Sequence, residues 1–122
     1  MTTVLIVEDQ AQTLALAQSL LQEEGYKTLT APSADDALVI LAGPERVDAL
    51  FVDIILNRDM HAGIELAKRA VALKPGLKVV YSTGLTLTDR MKALLVPGAL
   101  VLEKPYTLDQ LLMSLSEPRF RD

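Results

Sequence analysis

Apolar residues are concentrated in five short runs, and within each run they are nearly continuous rather than alternating with polar residues. The runs are rich in β-branched side chains and cover residues 3–7, 26–30, 49–52, 77–82 and 99–102. A strand buried on both faces has this composition, whereas a strand with one face in water alternates. The pattern therefore predicts five strands in a sheet that is covered on both sides.

Stretches with helical spacing of apolar residues separate these runs. The first covers residues 13–24 and is followed by Gly25, a natural C-cap. The second begins at Ser33, with Asp36 three residues later in a capping-box pattern, and ends at residues 43–44. Further helices are predicted at residues 63–73, at residues 88–96, and from Thr107, where Gln110 completes another capping box, to near Pro118.

Strand and helix alternate five times, which predicts an α/β fold of the doubly wound type. Each pair of neighbouring parallel strands needs a crossover, and right-handed crossovers place helices on both faces of the sheet. We find no repeat, linker or low-complexity segment in the sequence. Residues 1–122 are therefore predicted to form a single domain with five parallel strands and five helices.

Composition and charge exclude several classes of function. Half of the 122 residues are hydrophobic, and 16 acidic residues outnumber 12 basic ones, for a net charge of -4. The sequence has no dense cluster of Lys and Arg of the kind that binds nucleic acid, so we expect no direct nucleic-acid partner. The absence of cysteine excludes disulfides and thiolate metal sites. The N-terminus lacks the layout of a secretory signal, and the apolar runs are too short to cross a bilayer, so we expect a cytoplasmic protein without a membrane partner.

Polar side chains cluster at the predicted carboxyl ends of the strands, where sheets of this type bind ligands. They are Glu8 and Asp9 after the first strand, Asp53 at the third, Ser82-Thr83-Gly84 at the fourth, and Glu103-Lys104-Pro105 at the fifth. Crowded carboxylates repel one another unless a cation joins them, and ligands that are all oxygen favour Mg²⁺. An adjacent ammonium and hydroxyl suit a transferred phosphoryl group, for which a carboxylate can be the nucleophile.

These residues, in this order, resemble the receiver domain of bacterial two-component response regulators. The resemblance extends from the VLIVEDQ opening to the EKPYTLDQLL segment, and it implies the flavodoxin-like topology of that family. By position it implies that Asp53 is the phosphoacceptor and that Asp9 is a direct Mg²⁺ ligand. Glu8 would be the acidic neighbour that acts on the metal through water, and Ile55 would offer its backbone carbonyl to the metal.

The resemblance also assigns roles to the ends of the fourth and fifth strands. Thr83 matches the hydroxyl that moves towards the phosphoryl group, and Lys104 matches the lysine that pairs with it. Pro105 matches a position that often follows a cis peptide bond. A domain of this kind receives its phosphoryl group from a kinase and is not expected to be an enzyme beyond slow self-dephosphorylation.

Two departures from the family pattern lie close to the site. Residues 56–62 form a stretch about two residues longer than usual, with Asn57 and His61 at the positions of the usual proline and glycine. We expect an altered loop there, with Asp59 and His61 in solvent. Val101 occupies the usual aromatic switch position. The alternative aromatic candidates are Tyr81 and Tyr106, and for both of them we favour a packed side chain over a switch.

The resemblance implies a sensor histidine kinase or histidine phosphotransfer protein as the donor and a downstream protein as the target. Beginning at Met1 and leaving only a short tail after the last helix, the chain is expected to be a stand-alone receiver, either a monomer or a weak homodimer. The switching face is expected along the last two helices.

Other functions remain open at this level. The main one is a degenerate receiver that binds a protein without being phosphorylated. A flavin carrier would need a phosphate loop where Glu8 and Asp9 stand. A haloacid-dehalogenase-type phosphatase would need a second aspartate where Ile55 stands. The chain also leaves no room for the cap domain of such a phosphatase.

Overall fold

The computed structural model describes residues 2–116 and contains a parallel sheet between two layers of helices. The strands are β1 (Thr3–Val7), β2 (Lys27–Ala31), β3 (Ala49–Asp53), β4 (Lys78–Thr83) and β5 (Leu100–Glu103). The helices are α1 (Ala11–Glu23), α2 (Ala34–Ala42), α3 (Ala62–Leu73), α4 (Asp89–Ala93) and α5 (Leu108–Leu115). The strand order is β2-β1-β3-β4-β5, with every pairing parallel. The predicted doubly wound fold is confirmed.

Each face of the sheet has its own apolar core. On one face, β1, β3 and β4 pack against α2 and α3 through side chains such as Leu41 and Leu66. On the other face, the same strands pack against α1 and α5 through Leu21 and Leu111. All five residues of β1 and of β3 are buried. This burial on both sides explains the continuous apolar runs, and edge strand β5 is only half-buried.

The fourth helix is shorter than predicted. The sequence pattern suggested residues 88–96, but α4 ends at Ala93 and none of its residues is buried. The next two amides bond three residues back, Leu94 to Met91 and Leu95 to Lys92. The following amide, that of Val96, leaves the helical ladder and donates to the hydroxyl of Tyr81 at 3.1 Å. Competition from a buried tyrosine therefore ends the helix before Pro97.

The helix caps follow the sequence signals closely. Thr107 and Gln110 form a complete capping box at the start of α5. At α2, the Ser33 hydroxyl accepts the Asp36 amide, as in a capping box. The Asp36 carboxylate, however, accepts the Ser33 hydroxyl and not the Ser33 backbone amide, so only half of the capping box forms. The predicted end of the last helix, near Pro118, lies outside the described residues. Within residues 2–116, no helix is long and apolar enough to cross a membrane.

Asp48 connects three strands at their amino ends, on the opposite side of the sheet from the predicted site. Its Oδ2 accepts the Thr3 amide of β1 at 2.8 Å, and its Oδ1 accepts Arg46 Nε at 2.9 Å. Its backbone carbonyl accepts the Lys78 amide of β4. Burial raises the pKa of this carboxyl, but the bonds from Thr3 and Arg46 outweigh burial and hold the pKa below its ordinary value of 3.8.

Replacing Asp48 with Asn should lower the free energy of unfolding at neutral pH by about 1–2 kcal/mol, because charged hydrogen bonds are lost. A carboxyl whose pKa is depressed by folding stabilises the protein at any pH above the pKa that it has in the unfolded chain. That contribution disappears as the pH falls through the pKa that it has in the folded protein. Urea unfolding of both proteins should therefore show a gap at neutral pH that closes below pH 3.8. Glu45→Gln, in the same loop and exposed, is the control and should show no such gap.

Candidate functional site

Lys104 brings two acidic side chains together at the carboxyl ends of the strands. Its Nζ lies 2.7 Å from Asp53 Oδ2 and 3.4 Å from Glu8 Oε1. Asp53 is the last residue of β3 and is 8% exposed, and Glu8 directly follows β1 and is 6% exposed. The Lys104–Pro105 peptide bond is cis. The predicted convergence of strand ends is therefore observed for these three side chains.

The electrostatics of this cluster are those of crowded carboxylates held by one cation. Burial raises the pKa of Glu8, and the nearby carboxyl groups of Asp9 and Asp53 raise it further against the opposing effect of Lys104. For Lys104, burial lowers the pKa, but the Asp53 and Glu8 carboxylates outweigh burial and raise it. Lys104 therefore stays protonated, and a single ammonium pairs with two carboxyl groups, those of Asp53 and Glu8.

Asp9 lies beside this pair and is held by a different contact. It is half-buried, and its Oδ2 accepts the backbone amide of Asn57 at 3.2 Å. In the part of the chain that is described, no three acidic or imidazole side chains are gathered closely enough to form a ready metal centre. Lys104 and the Asn57 amide hold the carboxylates instead. The donors are nevertheless all oxygen atoms with excess negative charge, so the set fits a hard divalent cation.

Two backbone amides complete the hydrogen bonding of the site. The Ile55 amide donates to Asp53 Oδ1 at 3.1 Å, which fixes the second oxygen of that carboxylate. The Leu85 amide donates to Thr83 Oγ1 at 3.0 Å. Thr83 is 1% exposed, and its hydroxyl proton remains available for donation because the oxygen acts as the acceptor in this contact.

The stretch after β3, where a longer loop was expected, contains a tight hairpin. Leu56 and Asp59 exchange two backbone hydrogen bonds, of 3.2 and 2.9 Å. The residues between them, Asn57 and Arg58, have φ values of 52° and 66°. Paired left-handed residues are typical of a type I′ turn. We call residues 56–59 the 56–59 hairpin.

The neighbouring polar residues lie as expected. His61 is exposed and its side chain does not cap α3. Asp59 is also exposed, and its Oδ1 accepts the His61 amide at 2.9 Å, so this carboxylate serves the turn. The Asn57 contact to Asp9 was missed by sequence reasoning, because the donor is a backbone amide and its position depends on the fold of the turn.

Gly63 allows α3 to begin directly against the acceptor strand. Its amide donates to the Ile54 carbonyl at 2.9 Å. A Cβ atom at this position would clash with the Asp53 carbonyl oxygen. Any side chain here would displace the backbone of Asp53. The glycine predicted only as the start of a helix therefore also fixes the end of β3.

Comparison with known proteins assigns the family. The family described as the response regulator receiver domain matches residues 4–116, which is nearly the whole chain. This chain belongs to the response regulator receiver family. Receiver domains are signalling modules of two-component systems, and the flavodoxin-like topology expected from the sequence is the one observed.

Several relatives of this receiver domain are response regulators. The nitrogen assimilation regulatory protein NtrX of Azorhizobium caulinodans is 32% identical over 90% of this chain, but over only 24% of NtrX. The response regulator SaeR of Staphylococcus aureus is 26% identical over 95% of this chain and 50% of SaeR. The receiver domain thus spans a quarter to a half of these relatives. Whether it functions alone stays a prediction.

Solved structures agree with the fold. A CheY-like receiver domain protein from Methanospirillum hungatei superposes with a TM-score of 0.86 at 27% identity, covering 98% of this chain and 94% of that one. A response regulator from Burkholderia pseudomallei, solved with a phosphorylated aspartic acid, calcium ion and citrate, gives a TM-score of 0.84 at 25% identity. It covers 98% of this chain and 69% of its own.

The two tyrosines that were candidates for the switch, Tyr81 and Tyr106, are packed in this receiver domain, as expected. Tyr81 is fully buried on β4, directly opposite Val101 of β5 in the sheet register. Burial raises the pKa of its hydroxyl, which accepts the Val96 amide. Tyr106 packs edge-on against Phe51 with ring centroids 5.7 Å apart. The segment after α4 is thus tied to β4 by Tyr81, while the small Val101 occupies the expected switch position.

Glu8→Gln should make the metal-free receiver domain more stable at neutral pH. A carboxyl whose pKa is raised by folding destabilises the folded protein once it is ionised. This destabilisation is absent at a pH well below the ordinary pKa of 4.5 and is complete at a pH above the raised pKa of the folded protein. Thermal unfolding in a chelator should show a higher midpoint for the variant at neutral pH and a smaller difference in acid. The exposed Glu103→Gln is the matched control; an equal gain there would contradict the assignment to crowding.

Proposed function

We propose that this receiver domain accepts a phosphoryl group on Asp53 in a Mg²⁺-dependent phosphorelay and signals by binding another protein. The observation that carries the proposal is the 2.7 Å contact between Lys104 Nζ and Asp53 Oδ2 at the rim of the sheet. It places a fixed positive charge beside a carboxylate that ends a buried strand. A nucleophile with a preorganised cation beside it is what phosphoryl transfer requires.

In the proposed reaction, an Asp53 carboxylate oxygen attacks the phosphorus of a phosphohistidine on the donor protein. A P–O bond forms as the P–N bond breaks, and the imidazole leaves with the bonding electron pair and is then protonated. The product is an acyl phosphate. Lys104 offsets the charge of the new phosphoryl oxygens, and the free hydroxyl proton of Thr83 donates to one of them.

Mg²⁺ would be held by Asp9, Asp53 and the backbone carbonyl of Ile55, with Glu8 acting through water. When bound, the ion neutralises negative charge shared by the carboxylates and the phosphoryl group. The crowding that raises the pKa of Glu8 supports this assignment, because a cation would relieve it. A phosphorylated aspartic acid together with a divalent cation is recorded for the Burkholderia pseudomallei relative.

The proposed phosphodonor is a sensor histidine kinase or a histidine phosphotransfer protein, and the output is a protein contact on the α4–β5–α5 face. The leucines on this face now divide clearly: Leu111 is buried, Leu95 and Leu112 are half-buried, and Leu94 is 36% exposed. Met113 of α5 is 71% exposed. With no buried residue in α4, this face has little packing to oppose a population shift on phosphorylation.

Incubation with acetyl phosphate and Mg²⁺ should add one phosphoryl mass to the wild type and none to Asp53→Asn, because the amide is not a nucleophile. Intact mass spectrometry measures the gain. Asp35→Asn, an exposed aspartate in the first turn of α2, should be labelled as the wild type is. If the wild type gains nothing from acetyl phosphate or from a kinase, the degenerate, unphosphorylated receiver replaces this proposal.

The acyl phosphate should persist for hours rather than seconds. Ile55 and Leu85 are half-buried apolar residues two positions beyond Asp53 and Thr83, and they leave no polar side chain there to orient an attacking water. Ile55→Asn and Leu85→Asn should each accelerate dephosphorylation several-fold in a timed mass assay.

Leu73→Asn, on an exposed leucine at the far end of α3, serves as the control for added polarity. Rapid decay of the wild-type phosphoprotein, unchanged in the Ile55 and Leu85 variants, would refute the role given to these two side chains.

A further inference from the structure

The 56–59 hairpin contacts the metal-binding side of the proposed site through its backbone. The Asn57 amide donates to Asp9 Oδ2 at 3.2 Å, across 48 residues of sequence. Two residues earlier, the Ile55 amide donates to Asp53 Oδ1. Two amides of one short segment, two residues apart, thus bind carboxylates at the carboxyl ends of two different strands. The segment after β3 therefore determines the relative positions of Asp9 and Asp53.

The position of the Asn57 amide depends on an unusual backbone conformation. Asn57 has a φ of 52° and the following Arg58 a φ of 66°. Asparagine adopts this left-handed region more readily than most residues, whereas a β-branched residue adopts it only with strain. The hairpin is anchored on its far side, where the His61 amide bonds Asp59 and the Gly63 amide bonds the Ile54 carbonyl.

We propose that Asn57 is a positioning residue whose backbone amide, presented by the left-handed turn, holds the Asp9 carboxylate ready for a divalent cation. This inference rests on the proposed Mg²⁺ site. Asp9 adjoins the buried Glu8, and two neighbouring carboxylates that are both ionised repel each other. The amide engages one Asp9 oxygen and opposes that repulsion, so less conformational freedom is lost when the cation binds. The hairpin thereby sets the cation affinity.

Substitution at Asn57 isolates this backbone effect, because its side chain is exposed and makes no hydrogen bond among the described residues. Asn57→Ala and the harsher Asn57→Val disfavour the left-handed turn to increasing degrees. Calorimetric titration with Mg²⁺ should show a graded loss of affinity, reaching about three- to tenfold for valine, the range that corresponds to the net value of one ordinary hydrogen bond.

The matched controls are Thr86→Ala and Thr86→Val, at an exposed position after β4 that does not have a positive φ. They should bind Mg²⁺ as the wild type does. Folded Asn57 variants with wild-type affinity would overturn the positioning role while leaving the Mg²⁺ site intact. Failure of the wild type itself to bind Mg²⁺ would instead remove the proposed function and this inference together.

A metal-free readout tests the contact independently of any cation. Amide hydrogen exchange followed by NMR should show the Asn57 amide protected in the wild type and exchanging several-fold faster in Asp9→Ala, where the acceptor is gone. The Asp59 amide, which bonds the Leu56 carbonyl, reports whether the hairpin stays closed. Unchanged Asn57 exchange in Asp9→Ala, with Asp59 still protected, would overturn the inference whatever the Mg²⁺ titrations show.

Discussion

The contact of Lys104 with Asp53 and Glu8 balances the main electrostatic cost of this fold. Ending adjacent parallel strands with carboxylates places like charges at one rim, where they are nearly buried. A buried charge is tolerated when it is paired and hydrogen-bonded. A single ammonium meets that condition only in part, since the pKa of Glu8 remains raised by burial and by its acidic neighbours. The site is consequently stable enough to fold and still attractive to a cation.

The segment that follows Asp53 shapes the rest of the site through backbone geometry. Gly63 lets α3 approach the acceptor strand more closely than any side chain would permit. The 56–59 hairpin closes the segment between Asp53 and that helix. Its Asn57 amide faces the Asp9 carboxylate, its Leu56 side chain is buried in the core, and the side chains of Asn57, Arg58 and Asp59 are exposed. The backbone of this segment therefore shapes the surroundings of the carboxylates that the parallel sheet carries.

Packing is distributed unevenly around the sheet, and this bears on signalling. Helix α2 buries two residues and α3 buries five, whereas α4 buries none and ends early, where the Val96 amide bonds Tyr81. Tyr81 lies two residues before Thr83 on β4 and opposite Val101 on β5. The strand that carries the hydroxyl of the site is thus joined to the loosely packed α4–β5 segment by a buried side chain.

The sequence alone determined the buried strands and the site residues at their ends. Continuous apolar runs identified the strands, and the residues at the ends of those runs identified Glu8, Asp53 and Lys104. Both signals are local, because strand burial and strand ends are recorded in consecutive residues. Tertiary structure alone decided the early end of α4 and the contact of the Asn57 amide with Asp9. In both cases a backbone N–H finds an acceptor far away in sequence, and neither the direction nor the reach of a backbone amide is recorded in residue type.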